Sequence, residues 1–188
     1  MVTHFKKIND YINALDKETL LALESIASVK HFSKGDLLLR QDEVCSKSYL
    51  IIEGAARKYY LNDAKEITTE LYFENDLAVS FDSYALQKPS REFIEALTDL
   101  TVSITHYQAF QDAKTRYPKL VTLDLMLAEY YGIWVENRLF QFHTLSATDR
   151  YLDILEKSPH IVQNVSLTIL ASYLGISLET LSRIRAKI

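Results

Sequence analysis

Glycine is scarce in this sequence. Four glycines stand singly at positions 35, 54, 132 and 175 of 188 residues. The common phosphate-cradling loops, GxGxxG and GxxxxGK followed by Ser or Thr, need clustered glycines so that backbone amides can approach phosphate oxygens. Neither pattern is present, which excludes the two commonest nucleotide-handling signatures. Cysteine is scarcer still. Cys45 alone excludes an internal disulfide and any four-thiolate zinc or iron–sulfur site, and it reads as a reduced structural thiol. The five histidines, His4, His31, His106, His143 and His160, form no i, i+4 pair and no HExxH, so no metal centre is expected. No GxSxG elbow is present. Glu92 and Glu95, three apart in a strand region, fall on opposite faces and make a poor acid–base pair. No enzymatic activity is expected. No apolar run approaches the 18 residues a membrane-spanning helix requires, and residues 1–28 lack the continuous apolar stretch of a secretion signal. The expected location is cytoplasmic, with no membrane partner. Nor is there an excess of one charge sign. Twenty-one basic against 25 acidic residues give a net charge of −4. A strongly basic chain would point to nucleic acid by itself, so any such role here must be local.

What is present describes an ordinary soluble chain, 48% hydrophobic and 24% charged. Its length suits one to two domains with a core hiding roughly 70% of the unfolded surface. Residues 1–28 read as helix, with Asp16 placed to cap a segment over 17–28. From 29 to about 106 the texture changes. The short apolar runs 37–39, 48–52, 56–61, 67–73, 93–97 and 101–105 alternate with turn signals such as Lys34-Gly35-Asp36, Glu53-Gly54, Asn62-Asp63 and Lys88-Pro89-Ser90. That punctuation, with Thr and Tyr enrichment, predicts an all-β sandwich or barrel. Arg57-Lys58-Tyr59-Tyr60 reads as a strand with a charged outer face rather than as a base-stacking patch.

Helical periodicity returns after Tyr117-Pro118, a boundary because the residue before proline avoids the α region. Residues 119–141 run without a breaker except Gly132, a rod of roughly 33 Å. Leu120, Leu123, Leu127, Tyr130 and Trp134 follow the 3–4 spacing of a coiled-coil seam. A second stripe, Val121, Leu125, Val135 and Leu139, lies on another face. Two apolar faces need two partners, one from the chain itself and one from a second copy. The first stripe is assigned to the homodimer interface. A helix over 148–157 with Thr148 as its cap follows, and Ser158-Pro159 ends it.

The chain closes on LTILASYLGISLETLSRIRAKI. Ser166 and Ser177 are placed to cap helices over 167–174 and 178–187. Gly175 stands where a left-handed residue reverses the chain. Two short helices joined by Gly175-Ile176-Ser177 make a helix-turn-helix. If Leu181, Ile184 and Ile188 pack inward, the outward inventory is Ser177, Leu178, Glu179, Thr180, Ser182, Arg183, Arg185 and Lys187. Arg suits guanine O6/N7 or phosphate, Glu suits cytosine N4, and Leu178 suits a thymine methyl. These residues are the DNA-contact candidates.

The string ASYLGISLETLSRIR resembles the helix-turn-helix of Crp/Fnr-type (cyclic AMP receptor protein-like) bacterial transcription regulators. The S-x-E-T-x-x-R of that family's recognition helix stands here as Ser177, Glu179, Thr180 and Arg183. Leu178 replaces the family's arginine between the Ser and the Glu. Upstream, FSKGDLLLRQ and SYLIIEGAARKYY resemble the opening of the cyclic-nucleotide-binding β-roll, with Gly35 and Gly54 matching glycines there, and 119–141 matches the dimerisation helix.

The resemblance covers essentially the whole chain. It implies an α+β architecture: an N-terminal helical segment plus β-roll (jelly roll) over 1–118, a dimerisation helix over 119–141 and a DNA-binding domain over 142–188. It implies double-stranded DNA, a second copy of the chain and RNA polymerase as partners, and an unidentified small-molecule effector. The effector pocket would involve Asp76, Leu77, Ser90, Arg91 and Glu92, the positions matching the family's Gly-Glu-Leu and Arg-Ser-Ala phosphate cassette. Here the Arg-Ser order is lost, and Glu92 places a negative charge where a phosphate would lie. Cyclic AMP is therefore not the expected ligand. The family's β-hairpin wing follows the recognition helix, whereas these residues end at Ile188, so no wing contact is expected. The rival reading is a small-molecule sensor or protein-interaction module whose helix-turn-helix does not bind DNA.

Overall fold

The computed structural model describes residues 2–188, with side chains from Lys7 onward; the side chain of His4 lies outside them. In chain order the elements are α1 (Val2–Asn13), α2 (Lys17–Ser25), β1 (Ala27–Phe32), β2 (Leu37–Leu39), β3 (Lys47–Glu53), β4 (Ala56–Asn62), β5 (Lys65–Tyr72), β6 (Leu77–Ala78), α3 (Phe81–Leu86), β7 (Phe93–Ala96) and β8 (Leu100–His106). They continue as α4 (Tyr107–Arg116), α5 (Lys119–Thr144), α6 (Ala147–Lys157), α7 (Pro159–Asn164), α8 (Leu167–Leu174) and α9 (Leu178–Arg185). The six predicted strands are present. The short apolar pieces at 27–32 and 77–78 also pair, and α3 and α7 are helices too short to leave a periodic signal. Contacts divide the chain into two units, 1–28 with 105–145 and 29–104 with 146–188.

The first unit is helical. Asp16 caps α2 as expected: its carboxylate accepts from the Thr19 amide at 2.9 Å and the Thr19 hydroxyl at 2.8 Å, and Lys119 donates to it at 2.9 Å. The Lys119 bond, with those from Thr19, holds this carboxyl well below the usual range. Ile8, Phe110, Ala113, Leu120 and Leu123 form its core, flanked by Tyr11, Leu23, Met126, Leu127 and Tyr130.

The second unit holds the roll and the helices after Leu145. Two four-stranded sheets, β1-β8-β3-β6 and β2-β7-β4-β5, enclose a core of Leu38, Tyr49, Ile51, Tyr72, Ile94, Leu100 and Val102 among others. The β4–β5 hairpin turns on Asp63 and Ala64, both left-handed (φ 47° and 64°), as a two-residue hairpin loop of matching twist requires. Gly54 (φ 96°) is obligatory in its turn, because a Cβ there would stand 2.4 Å from the Asp99 carbonyl oxygen.

After Leu145 the cap of α6 is Ser146, not Thr148. Ser146 and Asp149 bond reciprocally to each other's backbone amides, an arrangement that needs the hydroxyl three residues before the carboxylate. Ser166 caps α8 and Ser177 caps α9 as expected, and Gly175 is left-handed (φ 68°). Helix α9 ends at Arg185. Ile188, expected to pack inward, is 65% exposed, because the helix stops before reaching it.

Candidate nucleic-acid interface

Helix α9 sorts its side chains as the periodicity requires. Leu181 and Ile184 are buried, with Leu170, Ala171 and Leu174 of α8, in the core of the helix-turn-helix. Leu178, Glu179, Ser182, Arg183, Arg185 and Lys187 are exposed, and Thr180 is half-buried. The first turn is held by Ser177, whose hydroxyl accepts from the Thr180 amide at 3.1 Å. The Glu179 carboxyl is held below its ordinary range, first by its own backbone amide and then by the Ser177 hydroxyl. Arg183 donates from Nη2 to the Thr180 hydroxyl at 3.2 Å and from Nε to the Glu179 carbonyl at 3.4 Å, so its fork is steadied on its own helix. A guanidinium, a carboxylate and hydroxyls on one exposed helix face are group types able to pair with base edges. All eight predicted DNA-contact residues thus stand on or beside one short segment, and seven of them are open to solvent.

The stripe of α5 assigned to the dimer seam is largely packed within the chain. Leu120 and Leu123 are buried at 0% and 4% exposure, and Leu127 and Tyr130 pack against the same cluster with α1 and α4. Trp134 is half-buried and stacks on Tyr131 at 6.0 Å. Leu120, Leu123, Leu127 and Tyr130 are therefore occupied by their own chain. Periodicity identifies an apolar face but not which neighbour covers it, and α1 covers this one. The other stripe is open: Val121, Leu125, Val135, Leu139 and Phe142 are all exposed.

The predicted effector residues are not gathered in one pocket. Asp76 closes a turn, accepting from the Phe73 amide at 2.8 Å, and burial raises its carboxyl to about 6. Leu77 pairs with Leu50 across β3 and β6. Arg91 faces outward, 83% exposed, and pairs with Asp82 at 3.2 Å. Ser90, buried, and Glu92, half-buried, join a polar network inside the roll that sequence reading missed. Lys58, 2% exposed, places its ammonium 2.5 Å from Glu70 and 3.6 Å from Glu92. The Tyr72 hydroxyl donates to Glu70 at 2.7 Å and the Ser80 hydroxyl to Glu92 at 2.7 Å. The Ser90 hydroxyl lies 3.0 Å from that of Ser80.

The expectation of a charged outer face on β4 is thus overturned. Neighbouring strand residues face opposite ways. Lys58 enters the roll, while Arg57 (5% exposed) is covered on the other face by Glu66 and Glu95, each 2.6 Å away. The available signal was the complementary charge on β5 and β7. A cleft of about 500 Å³, lined by Gly54, Phe73, Glu74, Thr98 and His160 among others, includes none of the five predicted effector residues. Among the described residues no cluster of three metal-ligating side chains occurs and no helix is long and apolar enough to cross a membrane.

Residues 29–117 match the model of the cyclic nucleotide-binding domain family. No curated protein matches the sequence. Solved structures match most of its length. FixK2 from Bradyrhizobium japonicum is 20% identical, with 86% of this chain and 84% of that one covered at a TM-score of 0.74. The c-di-GMP-responsive global regulator CLP of Xanthomonas campestris is 16% identical, covering 92% and 91% at 0.72. The catabolite activator protein of Thermus thermophilus is 18% identical, covering 94% and 85% at 0.59. At these identities the likeness is one of fold.

Proposed function

We propose, from the Crp/Fnr-type fold of this chain and the match of residues 29–117 to the cyclic nucleotide-binding domain family, that it is a homodimeric, DNA-binding transcription regulator and not an enzyme. The observation that carries the reading is the open outer face of α9. Glu179, Ser182 and Arg183 project from a helix whose opposite face is sealed into α8, and a single helix of this width fits the major groove, about 12 Å across. Two copies would read a near-palindromic site with half-sites about 34 Å apart. Cytoplasmic location and contact with RNA polymerase belong to the same proposal.

The second copy is proposed to lie on the open stripe of α5. Val121, Leu125, Ala128, Gly132, Val135, Leu139 and Phe142 are spaced 4, 3, 4, 3, 4, 3, the repeat of a helix–helix seam. Nothing lies within 4 Å of where a Gly132 side chain would begin, so two backbones can approach closely at its middle. We propose further that the roll does not take cyclic AMP. Lys58 is already shared between two carboxylates, and Glu92 would repel an entering phosphate.

A gel-shift selection from random duplexes tests the reading: a palindromic consensus is expected, and enrichment of no sequence favours a sensor or protein-interaction module instead. Leu125→Asp with Leu139→Asp should yield folded monomers in sedimentation that no longer shift the selected site. Dimers surviving both changes would remove this face as the interface.

A further inference from the structure

We infer that Ser172 is a positioning residue that latches the helix-turn-helix to the edge of the roll and so determines which half-site spacings the protein accepts. The spacing part rests on the DNA-binding reading above; the latch does not. Strand β5 is an edge strand, paired only with β4. The outward backbone groups of such a strand lack a ladder partner. Here one hydroxyl serves two of them. Ser172, on α8, accepts from the Thr68 amide at 2.9 Å and donates to the Glu66 carbonyl at 2.9 Å.

The contact continues in apolar form. Leu71, Phe73 and Leu97 of the roll pack against the cluster that contains Leu170, Leu174, Leu181 and Ile184, and the Phe73 ring meets the His160 ring edge-on at 4.6 Å. Helix α9 is tied to α8 through the Gly175 turn, where the Ile176 amide donates to the Ala171 carbonyl at 3.0 Å. Arg183 is thereby referred, through one helix and one turn, to a fixed point on β5. Without the Ser172 bonds the recognition helix loses that reference and can tilt.

The junction also carries a cost. The Thr68 hydroxyl is buried without a hydrogen-bond partner, which penalises the docked state. Two substitutions should therefore move the latch in opposite directions. Ser172→Ala removes both bonds while placing a better helix former in α8, so the fold survives. Thr68→Val removes the orphan hydroxyl, keeps the shape, and leaves the backbone amide in place.

The test uses the full chain. Without DNA, amide exchange at Thr68 should speed about five- to tenfold in Ser172→Ala, the loss expected for a net hydrogen bond, and should slow in Thr68→Val. With DNA, the wild type should discriminate against sites whose half-sites are moved one base pair closer or farther. Ser172→Ala should lose several-fold of that discrimination while holding an isolated half-site as well as before. Unchanged Thr68 exchange in Ser172→Ala overturns the latch. Faster exchange with unchanged discrimination overturns its role in spacing. A wild type that binds no duplex overturns that role together with the DNA-binding reading, and the exchange result then stands alone for the latch.

Discussion

The interior of the roll and the outer face of α9 use the same kinds of side chain to opposite ends. Both combine a cation, carboxylates and hydroxyls. In the roll, Lys58, Glu70, Ser80 and Tyr72 are buried and bond to one another and to the half-buried Glu92. On α9, Arg183, Glu179 and Ser182 are exposed, and only part of the Arg183 fork is taken. Polar groups that complete one another inside a low-dielectric interior rigidify it. The same groups left with spare donors and acceptors are available to a ligand. The comparison gives the heart of the roll a structural task and leaves the face of α9 with bonding groups to spare.

Breaking the roll network should have the largest effect. Lys58→Met leaves the buried Glu70 without its cation, and removing one partner of a buried pair costs about 3–5 kcal/mol. Denaturant unfolding should show that loss, and a change below about 1 kcal/mol would mean that solvent reaches these carboxylates. On the other side, Arg183→Ala should weaken binding to the selected site by about 1–3 kcal/mol while leaving the unfolding midpoint nearly unmoved. A variant that fails in both assays would make Arg183 a structural residue and erase the contrast.

Asp76 sharpens the comparison within the roll. Its carboxyl is raised to about 6 by burial, against roughly 3.9 in an unfolded chain. Between those values the folded form holds the extra proton, so stability falls as pH rises from about 4 to 6. Asp76→Asn keeps an acceptor for the Phe73 amide and removes the charge. It should be more stable than the wild type by on the order of 1–3 kcal/mol at pH 7.5, with the gap closing below pH 4. Parallel stability–pH curves for the two proteins would refute the shift.

The parts of the molecule legible in the sequence are those set by local chemistry. Asp16, Ser166 and Ser177 were readable as caps because a short oxygen-bearing side chain before a helix has few other uses. Gly175 was readable because the reversal needs a left-handed residue, and the strand runs because turn residues bracket them. What stayed illegible depended on which distant segment arrives as neighbour. Leu120 and Val121 are adjacent and both apolar, yet α1 reaches only the first. Lys58 and Arg57 read as one surface pair and are buried on opposite sides of a strand. Ser172 looks like an ordinary small residue on a short helix until β5 is brought beside it. The placement of the effector cassette was illegible for a further reason: a matched string carries no information about side-chain direction, and Arg91 turns outward.

Gly132 in the exposed stripe of α5 has a consequence for how this molecule would respond to dilution. A glycine in mid-helix costs about 1 kcal/mol relative to alanine, and here it stands in open space. If a second backbone closes over it, association repays that local weakness. Helix stability at this point then becomes a property of the pair: on dilution, amide exchange around residue 132 should quicken before it does elsewhere in α5.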